Sequence, residues 1–277
     1  MTTQRSAAEV APHAGLAHLW SGPLRVPRTG LPRRMLVIET VLVLLLSLGA
    51  SAIYSVLDIM RRLSSPVALG QQTSNLNTSH AEQPWLDLIY EIVQIGLGLV
   101  PVLLVCYLLA RELPSAVRYL GIDRARPLPD LLLGMILAAC IGLPGLALYV
   151  GARDAGLNTT VVAADLGSHW WVVPILVLSA VQNAALEETV MVGYLFTRWS
   201  QAGWRLWVIV VVSAVIRGSY HLYQGFGGFA GNIVMGLILG SVYLRTRRVL
   251  PLIITHSILD TVAFVGYALL HSHVSWL

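Results

Sequence analysis

Lysine is absent from the 277 residues, so every one of the 18 basic residues is an arginine. Charge of either sign is scarce. Only 12% of the chain is charged and 56% is hydrophobic, whereas a soluble domain carries about 25% charged residues. A soluble fold of this length has too little interior to hide that much apolar surface, but lipid can solvate it. The formal net charge is +4. No basic cluster is interleaved with aromatics, which excludes a nucleic-acid partner on electrostatic grounds. The two cysteines, Cys106 and Cys140, both fall inside apolar runs. That excludes a disulfide framework and leaves them as small apolar filler. Residues 1–34 lack a signal-peptide pattern and contain Pro, Gly and several arginines. They read as a disordered cytoplasmic tail.

What the chain has in abundance is long apolar runs. A spanning helix needs about 20 of them in succession, and backbone groups in lipid must bond internally, so such runs become helices. Seven are expected: Met35–Leu57, Leu86–Leu109, Leu128–Val150, Trp170–Phe196, Arg205–Tyr223, Phe229–Leu244 and Val249–Leu270. The fold class is an all-α polytopic transmembrane bundle. Residues 35–165 form an N-terminal region of three spans, and 166–277 form a second region of four. With the N-terminus inside, only Arg61, Arg62 and Arg153 fall in outer segments and Arg217 within a span. All other arginines are on the inner side, as the positive-inside rule asks, which puts the C-terminus outside. The two outer loops, 64–84 and 151–169, each hold an Asn-x-Ser/Thr triplet, at Asn77 and Asn158. These read as chance products of polar loops.

Ionisable residues inside spans are costly, usually face a cavity or a partner, and often serve function. Glu39, Asp87, Glu91 and Asp130 lie near ends of the first three spans, within reach of the interface. The last four spans concentrate Glu187, Glu188, Arg217, His221, His256 and Asp260. Adjacent residues on a helix point about 100° apart. Glu187 and Glu188 should therefore face different spots and do different jobs. Arg217 with His221, and His256 with Asp260, are i, i+4 pairs that share a face. A carboxylate and two imidazoles gathered from three helices can activate water or bind a divalent metal. A structural polar network and an ion or proton pathway use the same residue types, so spacing alone leaves all three open.

The order and placement of these residues resemble the CPBP family, the CAAX-protease and bacteriocin-processing (Abi) intramembrane peptidases that include the type II CAAX prenyl endopeptidase. The family pattern is Glu-Glu-x-x-x-Arg, then Phe-x-x-x-His, then His-x-x-x-Asn or Asp. Here it is met by Glu187-Glu188 with Val192, by Arg217 with His221, and by His256 with Asp260, within Trp170–Phe264. Two positions depart: the arginine of the first motif is Val192 and the phenylalanine of the second is Arg217. The lost arginine would have paired with Glu188 from the same helix, leaving Glu187 free. Arg217 is expected to take its place from the neighbouring helix.

The resemblance implies an intramembrane metalloendopeptidase that hydrolyses a peptide bond with activated water. In it Glu187 would serve as general base and proton donor. His221 and His256 would orient the water or bind a metal with Glu187, zinc being the metal expected, and Asp260 would fix His256. Tyr220, Tyr223, Gln224 and Asn232 are candidate oxyanion donors. The soluble zinc-peptidase helix His-Glu-x-x-His is missing. The expected substrate is a peptide or membrane protein, reached from the bilayer. The Arg-only composition points to a GC-rich bacterial genome and a bacterial cell membrane, where CAAX prenylation is not expected. Alternatives of another class are a scaffold or bacteriocin self-immunity protein of the same fold, and an ion-coupled transporter. Ideal helices would place His256 about 10 Å from the inner end of its span and His221 more than 20 Å. Gly225–Gly228 is therefore expected to form a re-entrant segment lining a cavity.

Overall fold

The computed structural model describes Leu24, residues 26–271 and His273, and most of the expected tail lies outside these. The molecule is mostly helical. In chain order its main elements are α1 (Arg33–Leu45), α2 (Leu48–Leu63), β1 (Thr73–Asn75), α3 (Pro84–Gly98), α4 (Val100–Ala110) and α5 (Pro127–Asp154). Then follow β2 (Thr160–Val162), α6 (Val172–Glu187), a π-helix (Glu188–Tyr194), α7 (Leu195–Gln201), α8 (Leu206–Tyr220), α9 (Phe226–Thr246) and α10 (Leu250–Leu270). Proline stands in the first turn of α3, α4, α5 and α10, where its missing N–H and fixed φ cost nothing.

Five stretches are long and apolar enough to cross a membrane: Pro84–Ala110, Pro127–Asp154, Val172–Gln201, Phe226–Thr246 and Leu250–Leu270. A sixth is added if α1 and α2, bent by 58° at Leu46–Ser47, count as one span. The expected fifth span, Arg205–Tyr223, is the helix α8 of 15 residues. At about 22 Å it is shorter than the roughly 30 Å hydrocarbon core. It ends at Tyr220, and His221 leads into the tight turn Leu222–Gln224. The protein is an integral membrane protein built around one helix. In Val172–Gln201, 61% of the most apolar stretch is buried, against 11% in Pro84–Ala110 and Pro127–Asp154. The outer helices expose large apolar side chains such as Ile89, Val93, Leu97, Leu132 and Leu143, the surface that lipid covers.

Around the central helix, α10 packs against both α6 and α5, α8 packs against α9 and α2, and α3 packs against α6. The two polar loops are ordered by each other. β1 and β2 pair in parallel, Thr73 opposite Thr160 and Asn75 opposite Val162. Asn158 is 1% exposed, and its Oδ1 accepts the backbone N–H of Gly227 at 2.8 Å and of Gly228 at 3.3 Å. A residue of a remote loop thus caps the N-terminus of α9. The Asn158 triplet is a structural cap.

That cap corrects the expected re-entrant segment. Gly225 has φ 112° and ends a single tight turn, Leu222–Gln224, after which Gly227 and Gly228 already belong to α9. The depth mismatch is solved at the other end. Glu187 and His221 lie about 21 and 22 Å from the Gln201–Leu206 turn along their helices. The start of α10 is set back. A Cβ on Gly193 would lie 3.0 Å from Val249 Cγ2 and 2.8 Å from Leu120 Cδ2. The helix therefore starts level with Gly193, about 12 Å short of Gln201. His256, six residues beyond Leu250, then meets Glu187, six residues before Gly193. Arg248 holds this recessed start, its guanidinium 2.8 Å from both Asp123 Oδ1 and Asp130 Oδ2. Its hydrogen bond keeps the Asp123 carboxyl below the usual carboxylate range.

Removing the α9 cap should loosen the cavity wall. Asn158→Ala is expected to destabilise the protein by about 1–2 kcal/mol, seen as a lower melting temperature in detergent micelles. An unchanged melting temperature would show that the cap carries no weight.

Candidate active site

The site is assembled where the central helix changes pitch. α6 ends at Glu187, and the seven residues Glu188–Tyr194 form a π-helix in which every residue is buried. Wide turns of this kind are rare and frequent at functional sites. Two hydroxyls meet carbonyls of this turn. Ser213 Oγ donates to Met191 O at 2.8 Å, and Thr197 Oγ1 donates to Gly193 O at 2.7 Å.

Both glutamates reach one guanidinium. Arg217, 1% exposed on α8, places Nη2 2.6 Å from Glu188 Oε1 and Nη1 3.3 Å from Glu187 Oε2. The expectation that neighbouring glutamates cannot face one spot fails here. A π turn rotates the chain less per residue than an α turn, and the flexible carboxylate arms close on a cation lying between them. Their surroundings still differ. Glu188 is completely buried, whereas Glu187 lines a cavity of about 1340 Å³.

The other expected residues gather around this pair. His256 Nδ1 is 2.9 Å from Glu188 Oε1 and 3.9 Å from Glu187 Oε2. Its Nε2 is 3.5 Å from Asp260 Oδ1. Asp260 was expected to hold His256, but the closer carboxylate is Glu188. His221 is at the end of α8, with Nε2 3.7 Å from Glu187 Oε1. Both its ring nitrogens are buried without a hydrogen-bond partner. Tyr220 donates its hydroxyl to Glu187 Oε2 at 2.7 Å, so it buttresses the glutamate and is not free for an oxyanion. Tyr223 Oη accepts from Gln224 Nε2 at 3.0 Å, which leaves its own proton for the cavity. Asn232 spends one amide hydrogen on Gly228 O.

Glu187, Glu188 and His256 offer ligand atoms within 4.8 Å of one another and could hold a metal ion. His221, expected as a ligand, is outside that group. Arg217 already pairs with both carboxylates, so a divalent ion would compete with a fixed cation for the same oxygens.

Sequence reasoning missed two partners, Ser213 and Arg198, and gave Tyr220 a different role. Ser213 lies four residues before Arg217 on the same helix face, and that spacing could have marked it. Tyr220 carried no signal for its role. Arg198, read as a loop charge, is 1% exposed. It pairs with Glu39 at 2.8 Å and Glu112 at 2.9 Å, and Tyr194 donates to the same Glu39 at 2.7 Å.

The site is a buried glutamate beside an imidazole, on a cavity inside a helical membrane protein. Residues 169–262 match the family of the type II CAAX prenyl endopeptidase, described as Rce1-like. This segment is similar to the peptidase family that its three motifs resemble, and the match runs from just before α6 into α10. No curated protein and no solved structure matches the chain.

The Arg217 position can be tested by reversing the exchange of motif residues. Arg217→Phe takes the guanidinium from buried Glu188, leaving it only His256, and should destabilise by about 3–5 kcal/mol. Adding Val192→Arg, which returns a cation four residues from Glu188, should recover at least half of the lost melting temperature. No recovery would show that the two positions are not interchangeable.

Proposed function

We propose that this protein is an intramembrane endopeptidase that cuts a peptide or membrane-protein substrate with water activated by Glu187. The observation that carries the reading is the gap between Glu187 Oε1 and His221 Nε2. The two atoms are 3.7 Å apart, both residues line the cavity, and neither nitrogen of the imidazole has a hydrogen-bond partner. A water entering from the cavity and meeting both groups would be shared between a carboxylate and an imidazole.

In this reading Glu187 takes a proton from that water as its oxygen attacks the substrate carbonyl carbon. His221 and the Tyr223 hydroxyl donate to the oxygen that becomes negative. Glu187 then returns the proton to the leaving amine as the C–N bond breaks. Tyr220 and Arg217 hold the second oxygen of Glu187, so the first is presented to water. Glu188 and His256 are positioning residues, with Asp260 behind His256. The metal-dependent variant of the reading would use Glu187, Glu188 and His256 to hold an ion, which polarises water when bound. Zinc is the ion that such a donor set takes most readily. Arg217 supplies a permanent cation at those oxygens, so the steps above run through the protein's own groups. Residues 166–277 supply the chemistry and 35–165 supply much of the cavity wall, with the arginine-rich helix ends on the cytoplasmic side of a bacterial membrane.

Glu187→Gln and His221→Ala should each lower peptide cleavage by about 10²–10⁴-fold with little change in melting temperature. Full activity in both variants would favour a scaffold that keeps the fold without the chemistry. Cleavage by the wild type is expected to survive chelation with EDTA or 1,10-phenanthroline. Loss on chelation with rescue by zinc would overturn the metal-free route.

A further inference from the structure

The cavity has a second charged end that the proposed chemistry does not use. Glu91 on α3 was expected near an interface, yet it is 4% exposed, and its Oε1 has no hydrogen-bond partner. It lines the same cavity as Glu187. A buried carboxylate without a partner is expensive in a membrane and marks a site for something that brings charge. Its neighbours give that oxygen no hydrogen bond. His80 Nε2 is 3.9 Å away and lies closer to Gln94 Oε1, at 3.0 Å. Asp87, one turn earlier on α3, is a second buried carboxylate, taken up by the backbone N–H groups of His80 and Ala81. Among the residues lining the cavity there is no arginine, while Glu91, Glu187 and Asp260 all belong to it. A carboxylate brought by a ligand would meet no arginine there.

The distance between the two ends follows from the helices. α3 and α6 both start from the paired polar loops and run the same way, and Gly98 meets the side chain of Gln182, which a Cβ would approach to 2.6 Å. Glu91 is seven residues before Gly98 and Glu187 is five residues beyond Gln182. Along the helix axes the two carboxylates are about 18 Å apart at 1.5 Å per residue. An extended peptide covers that in about five residues at roughly 3.3 Å each.

We propose that Glu91 is a specificity-determining residue that receives a cationic side chain of the peptide substrate, lysine or arginine, about five residues from the bond cut at Glu187. This rests on the peptidase reading for the position of the cut, but the charge preference itself does not need cleavage. A buried polar group that is left unpaired by the wrong ligand discriminates strongly, because the penalty falls on every substrate that lacks the partner.

The test uses the full-length protein in detergent and a set of apolar peptides. Each carries one lysine at a different position, with matched norleucine and glutamate peptides. In the wild type, kcat/KM should favour lysine over norleucine at least tenfold at one position about five residues from the cut, with glutamate worst. In Glu91→Gln the ratio should fall below threefold, while Glu91→Asp, which keeps the charge, should retain a clear preference. A flat lysine scan in the wild type, or a preference that survives in Glu91→Gln, would overturn the assignment. Fluorescent versions of the same peptides, bound to the Glu187→Gln protein and to Glu187→Gln/Glu91→Gln, give the lysine-to-norleucine affinity ratio without cleavage. If no peptide is cut by the wild type, the peptidase reading falls, and this ratio still decides the role of Glu91.

Discussion

A guanidinium sealed in an apolar interior must have negative charge beside it, because an unpaired buried charge is among the most destabilising features a fold can contain. In this chain that demand falls on Arg217, and the centre of the molecule is arranged to meet it. Glu188 supplies the closest oxygen, 2.6 Å away, and Glu187 the next at 3.3 Å. Drawing two adjacent side chains onto one cation suits a wider turn than the α-helix provides, and the π-helix starts at Glu188. Such a turn disturbs the regular ladder in a setting without solvent, and Ser213 and Thr197 put hydroxyls on two of its carbonyls. Ser213 comes from the helix that carries Arg217, so one element supplies both the charge and a support for the turn that receives it.

This arrangement also divides the two glutamates. Glu188 is enclosed by Arg217 and His256 and has no path to the cavity, so its negative charge is a fixed part of the scaffold. Glu187 has one oxygen tied to Tyr220 and Arg217 and the other turned toward His221 and open space. A carboxylate with one committed and one free oxygen keeps a defined orientation while it exchanges a proton. That is the property a general base needs, and a purely structural ion pair has no use for it.

Much of this was legible in the chain, and the limits were geometric. The apolar runs marked where helices form, and the three short motifs marked which faces meet, because spacing of four residues survives any small error in helix borders. The exchange of Val192 and Arg217 was readable as one relocated charge because an arginine in a span needs a partner. The π-helix was not legible, since nothing in Glu-Thr-Val-Met-Val-Gly-Tyr distinguishes a wide turn from a regular one before its neighbours are placed. The depth of the histidines was misjudged for a related reason. Helix ends were taken to be level, whereas α10 starts against Gly193 and is set back by packing that only tertiary contact defines. Glu91 and Arg198 were misread because closeness to the end of a span does not decide exposure. The neighbouring helices do, and they bury both.

The same electrostatics bear on the choice between hydrolysis with and without a metal. Glu187, Glu188 and His256 are close enough to share an ion, and in a site lacking Arg217 two carboxylates would need one. With Arg217 present, a divalent ion at those oxygens would stand within a few ångströms of a fixed positive charge and would have to displace it or bear the repulsion, which is large where water does not screen it. The relocated arginine and a bound metal are thus competing answers to one problem, the concentration of negative charge around Glu188. The arginine is held in place by the covalent chain and by its pairs with Glu188 and Glu187, so it does not have to be captured from solution. In the proposed peptidase, a centre that already holds this cation leaves Glu187 its free oxygen for protons, and the chemistry is that of a carboxylate, an imidazole and water.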